Sequence, residues 1–113
     1  MELTANGILA KVRRVVGDEF APYRWEDGEM RGHIQTALMR LGERAPHTRY
    51  VNGEALDYVE LPEDGDAAIP VHPRYEEALA YYVAHLCYCK DNPDTANAEL
   101  AGTYFAKAER LMV

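Results

Sequence analysis

Prolines divide this chain. Four of its six, Pro46, Pro62, Pro70 and Pro73, fall between residues 46 and 73. Proline lacks the amide hydrogen that helix propagation needs, and it biases the preceding residue away from helical geometry. This stretch is therefore read as a non-helical middle, whereas apolar residues on either side recur at helical spacing. The order is helix, helix, hairpin and arm, helix, helix.

Ile8, Leu9, Val12, Val15 and Val16 lie on one face of a first helix, from about Leu3 to Val16, with Lys11, Arg13 and Arg14 between them as a solvated basic side. Gly17-Asp18-Glu19 ends the pattern, and Pro22 sets Ala21 outside helical geometry. A second helix starts at Glu26, a weak N-cap that puts Glu29 at N3 and lets Trp25 staple onto Met30. Asp27 and Glu29 suit the positive end of its dipole. Met30, Ile34, Ala37, Leu38 and Leu41 carry the stripe to Gly42, read as the C-cap. Gly28 and Gly32 each weaken this helix by up to about 1 kcal/mol relative to Ala, so it relies on packing.

In the middle, Arg49-Tyr50-Val51 and Glu54-Ala55-Leu56 flank Asn52-Gly53, the pair best suited to a type I′ hairpin turn. Tyr58, Val59 and Leu61 are expected to extend the second strand. Pro62-Glu63-Asp64-Gly65-Asp66 is an acidic turn, and Ile69-Pro70-Val71-His72-Pro73 reads as extended backbone. Beyond it, Tyr75, Leu79, Tyr82, Val83, Leu86 and Cys89 define a third helix, widened by Ala78, Tyr81, His85 and Tyr88. After Asp91-Asn92-Pro93-Asp94, a fourth helix capped by Asp94 or Thr95 carries Ala101, Tyr104, Phe105, Ala108, Leu111 and Met112.

These elements predict a mainly α fold: one small four-helix domain over residues 1–113, with a short β-hairpin and extended arm (about 46–73) between helices 2 and 3. At 113 residues there is room for one core. No apolar run approaches the roughly 18 residues that span a bilayer, and the N-terminus lacks a basic signal-peptide region, so no membrane association is expected and the chain is expected in the cytoplasm where it is made. A net charge of −7 opposes broad attraction to nucleic-acid phosphate.

Candidate chemistry is sparse. Cys87 and Cys89 point about 200° apart around a helix, so no disulfide between them is expected. His85 and Cys89 sit one turn apart, but a structural zinc site needs four ligands and no second Cys or Cys/His pair exists, so packing is the reading. Glu63, Asp64 and Asp66 lack the calcium-loop pattern and are read as a solvated turn. No nucleophile motif or phosphate-binding glycine loop is present. No catalytic residue, cofactor or metal ligand is assigned. Tyr81, Tyr82, Tyr88 and Tyr104 exceed what a core of this size needs, and tyrosine is enriched at protein interfaces.

Two stretches resemble the head-tail adaptor (connector) proteins of tailed bacteriophages. One is Arg24-Trp25 leading into Asp27 and Glu29, then Met30, Ile34 and Ala37, although Glu26 stands where those proteins often have Ser or Thr. The other runs from Pro73-Arg74-Tyr75-Glu76-Glu77-Ala78-Leu79 through Tyr82-Val83 and Tyr88-Cys89-Lys90-Asp91 to Asn97, Ala101, Tyr104 and Phe105. The resemblance covers about half of the chain, and the middle is shorter than in many relatives. It implies a structural virion protein of the neck, made in the bacterial cytoplasm, with a role in genome packaging and DNA ejection. Implied partners are the portal protein, a further neck or tail-completion protein, and the chain itself in a closed ring of about a dozen copies. DNA is only a passing occupant of the channel. A helical protein-binding module or regulator in the cytoplasm, without catalytic activity, is the alternative.

For assembly, the candidate contact residues are Tyr50 and Tyr58 on the hairpin and Tyr81 and Tyr88 on helix 3. The arm adds Glu63, Asp64, Asp66, Ile69 and Val71. The arm is expected to reach neighbours, and deleting Glu63 to Ala68 is expected to spare the helical body.

Overall fold

Thr4 opens the first helix. Its backbone is extended, and its hydroxyl accepts the Gly7 amide at 3.0 Å, satisfying one donor that a helix start leaves unpaired. The computed structural model describes residues 2–90 and 95–112. Among these, helix α1 spans Ala5–Val16 and ends at Gly17, whose φ of 70° suits a residue without a Cβ. The expected start at Leu3 is corrected by this cap. Leu3 lies outside the helix, buried, with its carbonyl accepting the Ile69 amide at 2.7 Å.

Helix α2 spans Asp27–Arg44. Glu26 holds its N-cap position but makes no side-chain capping bond. Trp25 and Met30 are both buried, as a hydrophobic staple requires. Gly42 is not the C-cap, because the helix continues to Arg44 and is capped at Ala45. Gly42 is instead a packing glycine, where a Cβ would lie 2.9 Å from Cγ of Arg49.

The chain then makes a short 3-10 helix, Pro46–Arg49, and the expected hairpin, with β1 at Tyr50–Val51 antiparallel to β2 at Glu54–Ala55. Asn52 at φ 53° and Gly53 at φ 83° supply the two positive values that a type I′ turn demands. Tyr58, Val59 and Leu61 do not extend β2. The Gln35 carboxamide occupies their backbone, donating to the Val59 carbonyl at 3.0 Å and accepting the Leu61 amide at 2.7 Å. One side chain thus replaces the neighbouring strand.

Nor does the arm reach outwards. Asn6 donates its amide to the Gly65 carbonyl at 2.9 Å and its carboxamide to Asp66 at 2.9 Å, while Thr4 and Ala68 form an isolated antiparallel bridge. A Cβ on Gly65 would overlap the Asn6 side chain. The arm zips along the entry to α1 and buries Ile69 and Val71. Removing residues 63–68 would strip bonds from that helix start, so the expectation that this deletion spares the body is withdrawn.

A second 3-10 helix, Pro73–Tyr75, leads into α3 at Glu76–Lys90, and α4 spans Thr95–Leu111. Helix α3 is central and packs against α1, α2 and α4. Its Ala78, Leu79, Ala80, Val83, Ala84 and Cys87 are buried. Cys89, expected in the stripe, is exposed, because two residues from buried Cys87 turns the side chain about 200° away. Helix α4 rests mainly on α3 and buries Ala101 and Ala108, with Met112 buried just past its end. Phe105 and Leu111 stay 37% and 41% exposed. Thr95 is the first helical residue rather than the cap. Asp94 and the turn before it lie outside the described residues.

Arg13 overturns the reading of a solvated basic side. It is buried, and its guanidinium donates to Asp18 Oδ2 at 2.7 Å, to the Trp25 carbonyl at 3.1 Å and to Asp27. Buried Asp18 in turn accepts the amides of Arg24 at 2.9 Å and Trp25 at 3.3 Å. This knot holds the loop between α1 and α2. Asp18→Ala leaves a buried cation short of its main counter-charge and is expected to cost about 3 kcal/mol, measured as a lower denaturant midpoint by circular dichroism.

Candidate assembly surface

The tyrosines of α3 and α4 are spent largely inside the fold. Trp25 meets Tyr88 edge-on, with ring centres 5.7 Å apart. Tyr88 stacks on Tyr104, and Tyr104 on Tyr81, each at 5.8 Å. Lys107 lies over the outer two rings, and the Tyr81 hydroxyl donates to Glu77 at 2.9 Å. Such ring pairs add about 0.5–1.5 kcal/mol each beyond their buried area. Tyr88 is therefore a core residue, unreachable by a partner, and Tyr81 is half-buried.

Beside this ladder, Tyr82, His85 and Phe105 cluster with ring centres 5.0–6.2 Å apart. His85 Nδ1 lies 3.0 Å from the Ala101 carbonyl, so that nitrogen carries the proton and donates. Cys89 Sγ sits 3.6 Å from the same nitrogen. The pair is real, but among the described residues no group of three metal-ligating side chains comes together.

What remains outward is on the middle segment and the first loop. Tyr50 is 65% exposed on β1, and Tyr58 is 46% exposed beyond β2. Glu63, Asp64 and Asp66 are exposed on the acidic turn. Ile69 and Val71, proposed from sequence as contacts, are buried under the arm's own backbone bonds. The assembly candidates therefore narrow to the hairpin tyrosines, the acidic turn and the outer edge of Tyr81. Phe20, 84% exposed in the loop after α1, escaped the sequence reading. The available signal was an aromatic residue in a non-periodic loop, with no stripe to join.

A second feature missed from sequence is a cleft of about 310 Å³ where the two ends of the middle segment meet. His47 and Tyr50 come from one end, and Pro70, Val71, His72 and Arg74 from the other, with Tyr75 at the base. The Tyr75 hydroxyl receives Arg74 Nη2 at 2.7 Å and lies 3.0 Å from His47 Nε2. His72 Nδ1 accepts the Arg74 amide at 3.0 Å. The matching pairs Pro46-His47 and His72-Pro73 were the sequence trace of this junction.

Comparison with protein-family models, curated proteins and solved structures finds no match to this chain. Function is therefore argued from its own residues. No helix among the described residues is long and apolar enough to cross a membrane.

Burial pushes the Tyr82 and Tyr88 phenols above their ordinary range, and the hydrogen bond to Glu77 raises Tyr81. A raised folded value means the fold favours the neutral phenol. This contribution is complete below the unfolded value of 10.0 and fades as pH rises through the higher folded values. In alkaline titration followed by tyrosinate absorbance, a subset of tyrosines is expected to ionise later in the native chain than in denaturant. Coincident curves would show that the ladder does not protect its hydroxyls.

Proposed function

We propose that this chain is a non-catalytic structural subunit of a tailed-phage neck, a head-tail adaptor that docks on the portal and joins capsid to tail. It assembles as a ring around the DNA channel. The supporting observation is the division of labour within the fold. Four helices complete a core around α3, while Tyr50 and Tyr58 are left on a hairpin whose two short strands pair only with each other among the described residues. Open strand edges and exposed aromatic rings are surfaces that a neighbouring subunit covers by strand addition or docking.

The two stretches behind the phage resemblance also acquire physical roles. Arg24-Trp25 sits at the Asp18 knot and the foot of the aromatic ladder, and the tyrosine-rich segment pairs α3 with α4. Glu54, Asp57 and Glu60 are all exposed, giving the middle segment an acidic surface. A channel wall of that sign repels phosphate and lets DNA pass without sticking.

A tagged chain expressed in cells producing the source phage is expected to co-purify with portal and neck proteins in near-stoichiometric amount, identified by mass spectrometry. Recovery of a host enzyme or regulator without virion components would overturn this reading in favour of a cytoplasmic binding module. Tyr50→Ser is expected to leave helicity unchanged and to reduce recovery of neck partners several-fold, since truncating an exposed aromatic anchor removes binding area rather than core.

A further inference from the structure

The cleft at His47, His72 and Arg74 places an exposed arginine beside two imidazoles, on a chain whose overall charge is −7. Among the described residues, Arg74 has no carboxylate partner. Its guanidinium lies over the Tyr75 ring at 4.7 Å and donates to that hydroxyl, so its remaining donors are free for an acceptor. The exposed Tyr50 ring stands on one wall, and Val71 and Pro70 form another. The cleft therefore offers one guanidinium beside an apolar rim.

The complementary shape is on the same chain. Pro62-Glu63-Asp64 is a rigid exposed turn, closed by the Asp66 amide donating to Asp64 Oδ1 at 2.9 Å and the Ala67 amide to the Asp64 carbonyl at 3.1 Å. Its backbone is tied to α1 through Gly65, and Pro62 is held by Arg31 at 2.6 Å. Glu63 makes no hydrogen bond or ion pair among the described residues. A turn so anchored is preorganised for docking, and docking a preordered segment avoids much of the entropy cost of ordering one.

We infer that the cleft walled by His47, His72 and Arg74 receives the Glu63-Asp64 turn of a second copy of this chain. Charge complementarity selects the occupant: an exposed acidic turn suits an arginine without a carboxylate partner among the described residues, set beside an aromatic rim. Arg74 supplies forked donors to a carboxylate, and His47 and His72 flank it. Each copy carries one donor turn and one acceptor cleft, so the contact propagates from copy to copy and closes as a ring or as a reciprocal pair. The inference deepens the assembly reading and rests on it only in taking the chain to self-associate.

The test is a charge swap in the purified full-length chain, read by sedimentation equilibrium. Wild type is expected to self-associate, less so at high salt. Arg74→Glu sets its own Glu63 turn against an acidic cleft, and Glu63→Lys sets its lysine against Arg74. Each variant alone is expected to associate at least about tenfold more weakly than wild type, with unchanged circular dichroism. Mixed in equal amounts, the two regain complementary pairs in both directions, and association is expected to return to near the wild-type value. Two weakened variants that stay apart when mixed would overturn the inference, as would a monomeric wild type or variants that associate normally. Recovery of neck proteins by the wild-type chain alongside a failed swap would sink this contact alone. Rescue in the swap without neck proteins would instead sink the phage reading and leave the contact standing.

Discussion

The buried guanidinium of Arg13 is the constraint to which the rest of the fold is tied. A cation removed from water is tolerable only when acceptors surround it, and here they come from three places: Asp18 in the loop, the Trp25 carbonyl, and Asp27 at the start of α2. Satisfying the charge fixes where α2 begins relative to α1. It also sets Trp25, whose ring meets Tyr88 of α3, which stacks on Tyr104 of α4. One ionic knot and one aromatic ladder thereby link all four helices.

The middle segment solves the same problem without regular structure. Its backbone groups find partners in the Gln35 carboxamide, in Arg31, and in the residues that open α1. The arm is thus part of the body, and its exposed acidic turn is held in place rather than swung on a tether. A loop preordered in this way would lose little entropy on docking to another surface.

The His85–Cys89 pair is occupied by a carbonyl and an aromatic cluster, and the cleft lies at the junction of the two 3-10 helices. The outward features include Phe20, two hairpin tyrosines, an acidic turn and the hollow at Arg74. These are the elements of recognition between surfaces, where rigid aromatic rings supply contact area and opposed charges supply register.

Periodicity and turn chemistry made much of the architecture legible in the sequence. The helical stripes placed all four helices within a few residues, and Asn52-Gly53 located the hairpin, because both signals depend on local geometry. Local reading failed where a residue's role depends on a distant partner. Arg13 looked solvated because nothing nearby announces Asp18 and Asp27 as its acceptors. Gly42 looked like a helix end because its packing partner Arg49 is outside the helix. Ile69, Val71 and Tyr88 looked available, yet the arm and the aromatic ladder bury them. The sequence by itself determined which segments are helical and where the chain turns, since backbone torsions and apolar spacing act over a few residues. Only the tertiary structure decided which charges are buried, which aromatics face outwards and where the cleft forms, since burial and ion pairing depend on how separate elements pack and not on the spacing within one of them.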